Sequence, residues 1–132
     1  MHTNALPTLL NATAHDQGEQ ADRYRELGWD IEIPPRLARS SPAVAVLDAE
    51  ADRVAIGIPD DACVLVGGLG YLCDALALRL LPRGCRLYCA LTNRVSDDRG
   101  HFIFTGPSEV VETPLSAWWH TRLPRHTDLC AS

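Results

Sequence analysis

The chain has no lysine; all 12 of its basic residues are arginine. That absence removes the phosphate-binding lysine of a Walker loop. The exclusive use of arginine reads as the composition of a GC-rich genome and implies no guanidinium chemistry by itself. There is no CxxC pair among the five cysteines, Cys63, Cys73, Cys85, Cys89 and Cys130. Four of them lie in apolar runs typical of buried thiols, so neither a disulfide framework nor a zinc site is expected. The histidines at 2, 15, 101, 120 and 126 lack ligand spacing. Gly-x-Ser-x-Gly and His-Glu-x-x-His are also missing. No basic region precedes the short apolar stretch within Met1 to Ala12, so a secretory signal is not expected and the chain reads as cytoplasmic. The longest apolar run, Ala62 to Leu81, is broken by Asp74, Arg79 and three glycines. It reads as strand, turn and helix and not as a membrane span.

What is present is globular. The 132 residues are 46% hydrophobic and 22% charged, the proportions of one ordinary domain with one real core. The formal charge of -5 disfavours strong non-specific nucleic-acid binding, which needs a basic face toward phosphates. Arg79, Arg83, Arg86, Arg94 and Arg99 are the densest basic stretch, either a local patch or scattered solvated side chains.

Residues 1–18 read as a flexible arm or short helix, 19–124 as a single domain and 125–132 as a loose tail. Glu19 to Leu27 consists of helix formers, Gly28 follows as a C-terminal cap, and Trp29 to Ile33 alternates as a strand stopped by Pro34-Pro35. Ala43 to Leu47 and Arg53 to Ile58 read as the two strands of a hairpin around the acidic segment Asp48 to Asp52. Cys63 to Val66 is a further short strand or a helix start. Tyr71 to Leu81 has helical spacing ended by Pro82-Arg83-Gly84, and Arg86 to Leu91 is a strand. After a polar, turn-rich stretch, His101 to Phe104 and Glu109 to Glu112 read as strands. The remainder of 108–124 carries no clear periodicity, and its paired indoles, Trp118 and Trp119, are expected to tuck against the sheet. The implied fold is α/β (α+β), one compact domain with a mixed or mostly antiparallel sheet and two or three helices.

Two stretches point to chemistry. In the first, Val44-Ala-Val-Leu-Asp48-Ala-Glu50, an apolar strand would end in two carboxylates on one face, able to hold a divalent metal whose other ligands are phosphate oxygens. Downstream, Asp98-Arg-Gly-His101-Phe-Ile-Phe104 is a turn followed by a histidine opening an apolar strand. Together with Gly28-Trp29 and Ile31 to Pro34, this pattern resembles the archaeo-eukaryotic type primase domain of bacterial and plasmid primase-polymerases, over about residues 22 to 112. The resemblance implies Asp48 and Glu50 as ligands of Mg2+ or Mn2+, Glu109 or Glu112 as the last acid, and His101 as the catalytic-site group on the nucleotide phosphate. Given the short chain and negative charge, it implies a trimmed, non-catalytic relative. The plainer alternatives are a solvated hairpin turn and a strand-end histidine bonded to backbone.

The second stretch is Val64-Leu-Val-Gly67-Gly68-Leu-Gly70-Tyr-Leu-Cys73. It resembles locally the strand, glycine turn and helix of short-chain dehydrogenases and sugar epimerases, which implies Gly67, Gly68 and Gly70 around a pyrophosphate and Arg94 near a 2'-phosphate. Cys73 departs from the pattern where the last glycine is expected, and Val66 where a polar residue is. No Tyr-x-x-x-Lys is possible without lysine. The turn therefore serves either a small nucleotide-binding domain or packing alone. The overall expectation is an accessory or regulatory protein, its partner a nucleotide or another protein; a module recognising proteins would use the Trp118-Trp119 region.

Overall fold

A computed structural model describes residues 5–38, 43–92, 95–103 and 106–122. The chain runs β1 (Thr8–Asn11), α1 (Ala21–Glu26), β2 (Asp30–Ile31), α2 (Val44–Ile56), β3 (Cys63–Leu65), α3 (Gly70–Leu80), β4 (Arg86–Leu91), β5 (Val95–Ser96), β6 (Phe102–Ile103), β7 (Glu109–Glu112) and α4 (Pro114–Arg122). Five strands form one mixed sheet in the order β2-β1-β3-β4-β7. The first four are mutually parallel, and β7 closes the edge antiparallel to β4. The α/β class and the mixed sheet agree with the sequence reading; among the described residues the sheet has a parallel majority and there are four α-helices where two or three were expected.

Strand alternation sorts the core into two faces. Leu10 of β1, Val64 of β3 and Leu87 of β4 join Leu47, Ala51 and Val54 of α2 and Leu72, Leu76 and Leu80 of α3 in the larger cluster. The side chains one position away, Leu9 and Leu65, face the other way with Ile31 and Tyr24 of α1. Trp29 meets Tyr88 edge-on on that second face, with ring centroids 4.8 Å apart. Parallel strands need both faces covered; here α2 and α3 cover one and the short α1 with its aromatic neighbours covers the other.

Two expectations are corrected. Residues 43–58 are not a hairpin: Val44–Ile56 is one continuous helix. Its alternation comes from Val44 and Val46, which are exposed, whereas the buried set Leu47, Ala51, Val54 and Ala55 recurs at helical spacing. The N-terminal stretch is no arm where it passes Thr8–Asn11, since β1 pairs with β2 on one side and β3 on the other.

The unit Cys63–Leu80 and the strand Arg86–Leu91 lie where the sequence placed them. At Gly84 the backbone turns left-handed, with φ +82°, a conformation that favours glycine. The final helix α4 had no sequence assignment. Its signal is Thr113-Pro114: the threonine Oγ1 accepts the Ser116 N–H at 3.2 Å, and Pro114 takes the first helical position. Trp119 packs against the larger cluster, whereas Trp118 stays exposed.

Candidate functional site

The direction of chain winding reverses between β1 and β3. From β1 the chain crosses by α1 to β2 on one side, and from β3 it crosses by α3 to β4 on the other. A crevice outside the carboxyl ends of the strands at such a switch point is where open α/β sheets bind ligands. Here a cavity of about 490 Å³ opens between the segment after β1, the turn after β3 and the end of β4. A second cavity of about 210 Å³ adjoins it, and both are walled by His15, Gly67 and Gly68.

The segment after β1 is held by a buried polar knot. Asn11, fully buried, accepts on Oδ1 the Thr13 N–H at 3.1 Å and the Thr13 hydroxyl at 2.6 Å. Its Nδ2 donates to the His15 carbonyl at 2.8 Å. The Thr13 Oγ1 in turn accepts the His15 N–H at 3.3 Å. An asparagine pointing into a sheet interior would be costly without such partners; with them it fixes the turn that carries His15 and Asp16 to the rim. Asp16 then accepts the Gly18 N–H at 2.8 Å.

The turn after β3 is continuous with the sheet. Ala12 N–H reaches Leu65 O, and Val66 N–H reaches Tyr88 O, each at 2.9 Å. Gly68 then sits at φ +93°, and the first intrahelical bond of α3 runs from Cys73 N–H to Leu69 O. The N–H groups of Gly70, Tyr71 and Leu72 thus have no intrahelical acceptor. No side chain caps this helix, and no acid occupies its first turn. A Cβ at Gly70 would meet nothing within 4 Å. The result is an open helix N-terminus beside the smaller cavity, which Leu69 and Leu72 line, with a favourable partial charge for an anion.

The larger cavity has an apolar back formed by Leu65, Val66, Ala90 and Pro107, and polar groups around its mouth: His15, Asp16, Gln17, Glu19, Gln20 and Thr92. Tyr24, 1% exposed, lines it too. Its hydroxyl donates to Gln17 Oε1 at 3.3 Å, and burial pushes its pKa up to about 12, so it remains a neutral donor. Behind this lining, Arg23 donates from Nε to the carbonyl of the lining residue Pro107 at 2.8 Å.

Of the residues singled out in the sequence, Gly67 and Gly68 line this crevice, Gly70 opens α3 without lining either cavity, and Arg94 falls outside the described residues. The acidic candidates are not brought together. Residues two apart on a helix point about 200° from one another, so Asp48 and Glu50 lie on different sides of α2, not on one strand face. Asp48 accepts the Tyr71 hydroxyl at 2.8 Å. Glu50 accepts the Ala38 N–H at 2.8 Å and also pairs with Arg53; the hydrogen bond from Arg53 leads the effects that lower its pKa. Glu112, on β7, binds Arg86 at 3.1 Å and accepts the Ser116 hydroxyl at 2.7 Å. Glu109 is exposed on the same strand. His101 follows a tight turn and faces Asp97 at 3.7 Å. Among the described residues no group of three or more His, Cys, Asp or Glu side chains is placed to hold a metal ion. The basic stretch is largely neutralised, since Arg79, Arg83 and Arg86 pair with Asp52, Asp60 and Glu112.

Sequence reasoning missed Asn11, Thr13 and His15. The available signal was a polar Asn-x-Thr-x-His directly after a short apolar run, which becomes legible only once Thr8–Asn11 is known to be a central strand. No family model matches the chain, and neither the curated proteins nor the solved structures give a match.

Proposed function

We propose that this domain is a nucleotide-binding module that acts as an accessory or regulatory protein. The observation that carries the reading is the crevice at the β1–β3 switch point, where Gly67 and Gly68 wall a cavity of about 490 Å³ and the open N-terminus of α3 borders the adjoining cavity of about 210 Å³ through Leu69 and Leu72. A phosphate at the helix terminus would accept N–H groups that otherwise lack acceptors. The attached nucleoside would lie toward the apolar wall of Leu65, Val66, Ala90 and Pro107.

The polar groups support binding more readily than catalysis. Asn11 and Thr13 spend their hydrogen bonds on one another and on the His15 backbone. His15 has no carboxylate partner among the described residues, so it lacks the orienting group of a nucleophile–base pair.

The test is isothermal titration of the purified chain with nucleotides, comparing wild type with Gly70→Asp. The substitution places a carboxylate where the phosphate would sit, in open space. Saturable binding lost in the variant supports the site; no heat from any nucleotide with the wild type removes the reading. Protein recognition is the second reading, favoured by Trp118 at 47% exposure beside a packed Trp119; a pull-down weakened by Trp118→Ala would support it.

A further inference from the structure

Two half-buried carboxamides, Gln17 and Gln20, line the larger cavity from a single turn. The turn is closed by the Gln20 N–H on the Gln17 carbonyl at 3.0 Å. Leu65, Val66 and Ala90, at the ends of β3 and β4, supply the apolar back of the same cavity. A planar, uncharged heterocycle suits such a slot, with a face against aliphatic side chains and a polar edge toward the amides.

Each amide is set by its neighbours. Gln17 Oε1 accepts the hydroxyl of Tyr24 at 3.3 Å, and Tyr24 is 1% exposed, so its ring is held by the core. The two branches of a carboxamide diverge; with the oxygen on Tyr24, the branch left for a ligand is the N–H pair. Gln20 Oε1 lies so close to the backbone of Gly106 that a Cβ there would overlap it. Gly106 is buried at φ +91°, which favours glycine, so the oxygen of the second amide is also turned to the protein.

Both glutamines therefore meet a ligand as donors. Adenine is matched by a glutamine that uses its oxygen and nitrogen together, on N6 and N7. Donors alone match the acceptors of an oxo base: O6 and N7 of guanine, their counterparts in hypoxanthine, or O4 of uracil.

We infer that the larger cavity selects a guanine, hypoxanthine or uracil base over adenine, the Gln17 and Gln20 amides donating to the ring carbonyl and Tyr24 acting as the positioning residue for Gln17. This assignment rests on the nucleotide-binding reading and adds the class of base.

The experiment is titration calorimetry of the full chain with the 5'-monophosphates of guanosine, inosine, uridine and adenosine. At least one of the first three should bind about tenfold or more tightly than adenosine monophosphate, the scale of one hydrogen bond. Gln17→Glu keeps the shape of the side chain and removes its N–H groups, so the preferred nucleotide should lose about tenfold and the preference should vanish. Tyr24→Phe frees the Gln17 amide to present both of its groups. The ratio between the preferred base and adenine should then fall toward one, a change of selectivity that a purely structural tyrosine would not produce.

Adenosine monophosphate binding as tightly as the best of the others would overturn the inference and leave the nucleotide-binding reading standing. A preference untouched by Gln17→Glu would do the same. Failure of all four nucleotides with the wild type would overturn both readings together. Thermal melts check that the variants are folded, and Gln17→Glu carries the test by itself if Tyr24→Phe is not.

Discussion

The carboxamide of Asn11 and the side chain of Thr13 hold one another where β1 ends, with the threonine hydroxyl 2.6 Å from Asn11 Oδ1. Both residues are buried, so the pair is not a surface ornament. It sets the path of the chain from the sheet interior to the rim of the cavity.

Asn11→Ala would strand the Thr13 N–H and leave the His15 carbonyl with the Thr13 hydroxyl, at 3.2 Å, as its remaining donor. A buried group left without a partner costs about 1–3 kcal/mol, and a loss of about that size is expected. Urea unfolding followed by circular dichroism should show a lower midpoint with an unchanged slope. A midpoint within error of wild type would mean that water replaces the asparagine without cost.

Gly70→Asp separates folding from binding. The new Cβ has open space, and an acid in the first turn favours the helix. Thermal stability should rise or stay level, by roughly 0–1 kcal/mol, as nucleotide affinity falls. A variant that loses both would point to a packing role for the turn.

Gly84→Ala should destabilise, because the residue turns left-handed at φ +82° and a Cβ would overlap the Asp61 carboxylate. About 1–2 kcal/mol is the expected cost of the backbone conformation alone. A double-mutant cycle with Asp61→Ala distinguishes the two causes: Asp61 is itself left-handed at φ 60°, so its single variant carries a cost of its own, and only the coupling between the two changes reports relief of the overlap.

Alkaline stability should report on Tyr24. Its folded-state pKa is pushed up to about 12 by burial, above the unfolded value of about 10. The unfolded chain therefore gives up this proton first, so the stabilising difference is intact below about pH 10 and is lost as pH rises toward 12. Tyr71 and Tyr88 shift in the same direction, Tyr71 through the Asp48 hydrogen bond and Tyr88 through burial. In a melting series from neutral to alkaline pH, Tyr24→Phe should flatten the decline without removing it. An unchanged slope would show that Tyr24 ionises freely in the folded chain.

Ser116→Ala tests how α4 is fastened. The buried Ser116 hydroxyl accepts the Leu87 N–H at 3.0 Å and donates to Glu112 at 2.7 Å. Its removal leaves a backbone donor of the sheet without a partner, for a loss of about 1–3 kcal/mol by chemical denaturation. Hydrogen exchange at Leu87 should quicken with it; exchange as slow as in wild type would mean that another acceptor takes over.

The strand, glycine turn and helix of 63–80 were legible because their signals are local. The run Cys63–Leu65 is apolar, Gly68 allows the turn, and Leu72, Leu76 and Leu80 recur on one helical face. The hairpin expected at 43–58 failed for a related reason. Ala and Val fill both the buried and exposed sides of α2, so the sequence alternates even though the chain is a helix. What tells the two apart is the packing of Leu47, Ala51 and Val54 against α3 and the sheet, which no local window contains. β1 was missed because four residues carry little pattern; its strand conformation comes from neighbours on both sides.

The sequence by itself determined the α/β class, the missing lysine, cysteine-pair and catalytic-serine motifs, and the Gly67–Gly70 turn, since these depend on residue identity and short-range geometry. Tertiary structure alone decided that Asn11 and Thr13 meet beneath that turn, that Tyr24 is buried at the cavity wall, and that Asp48, Glu50, His101 and Glu112 take separate partners. The physical reason is the order of the parallel strands. Each is joined to the next by a crossover, so residues from β1, β3 and β4 converge at one end of the sheet although they are far apart along the chain.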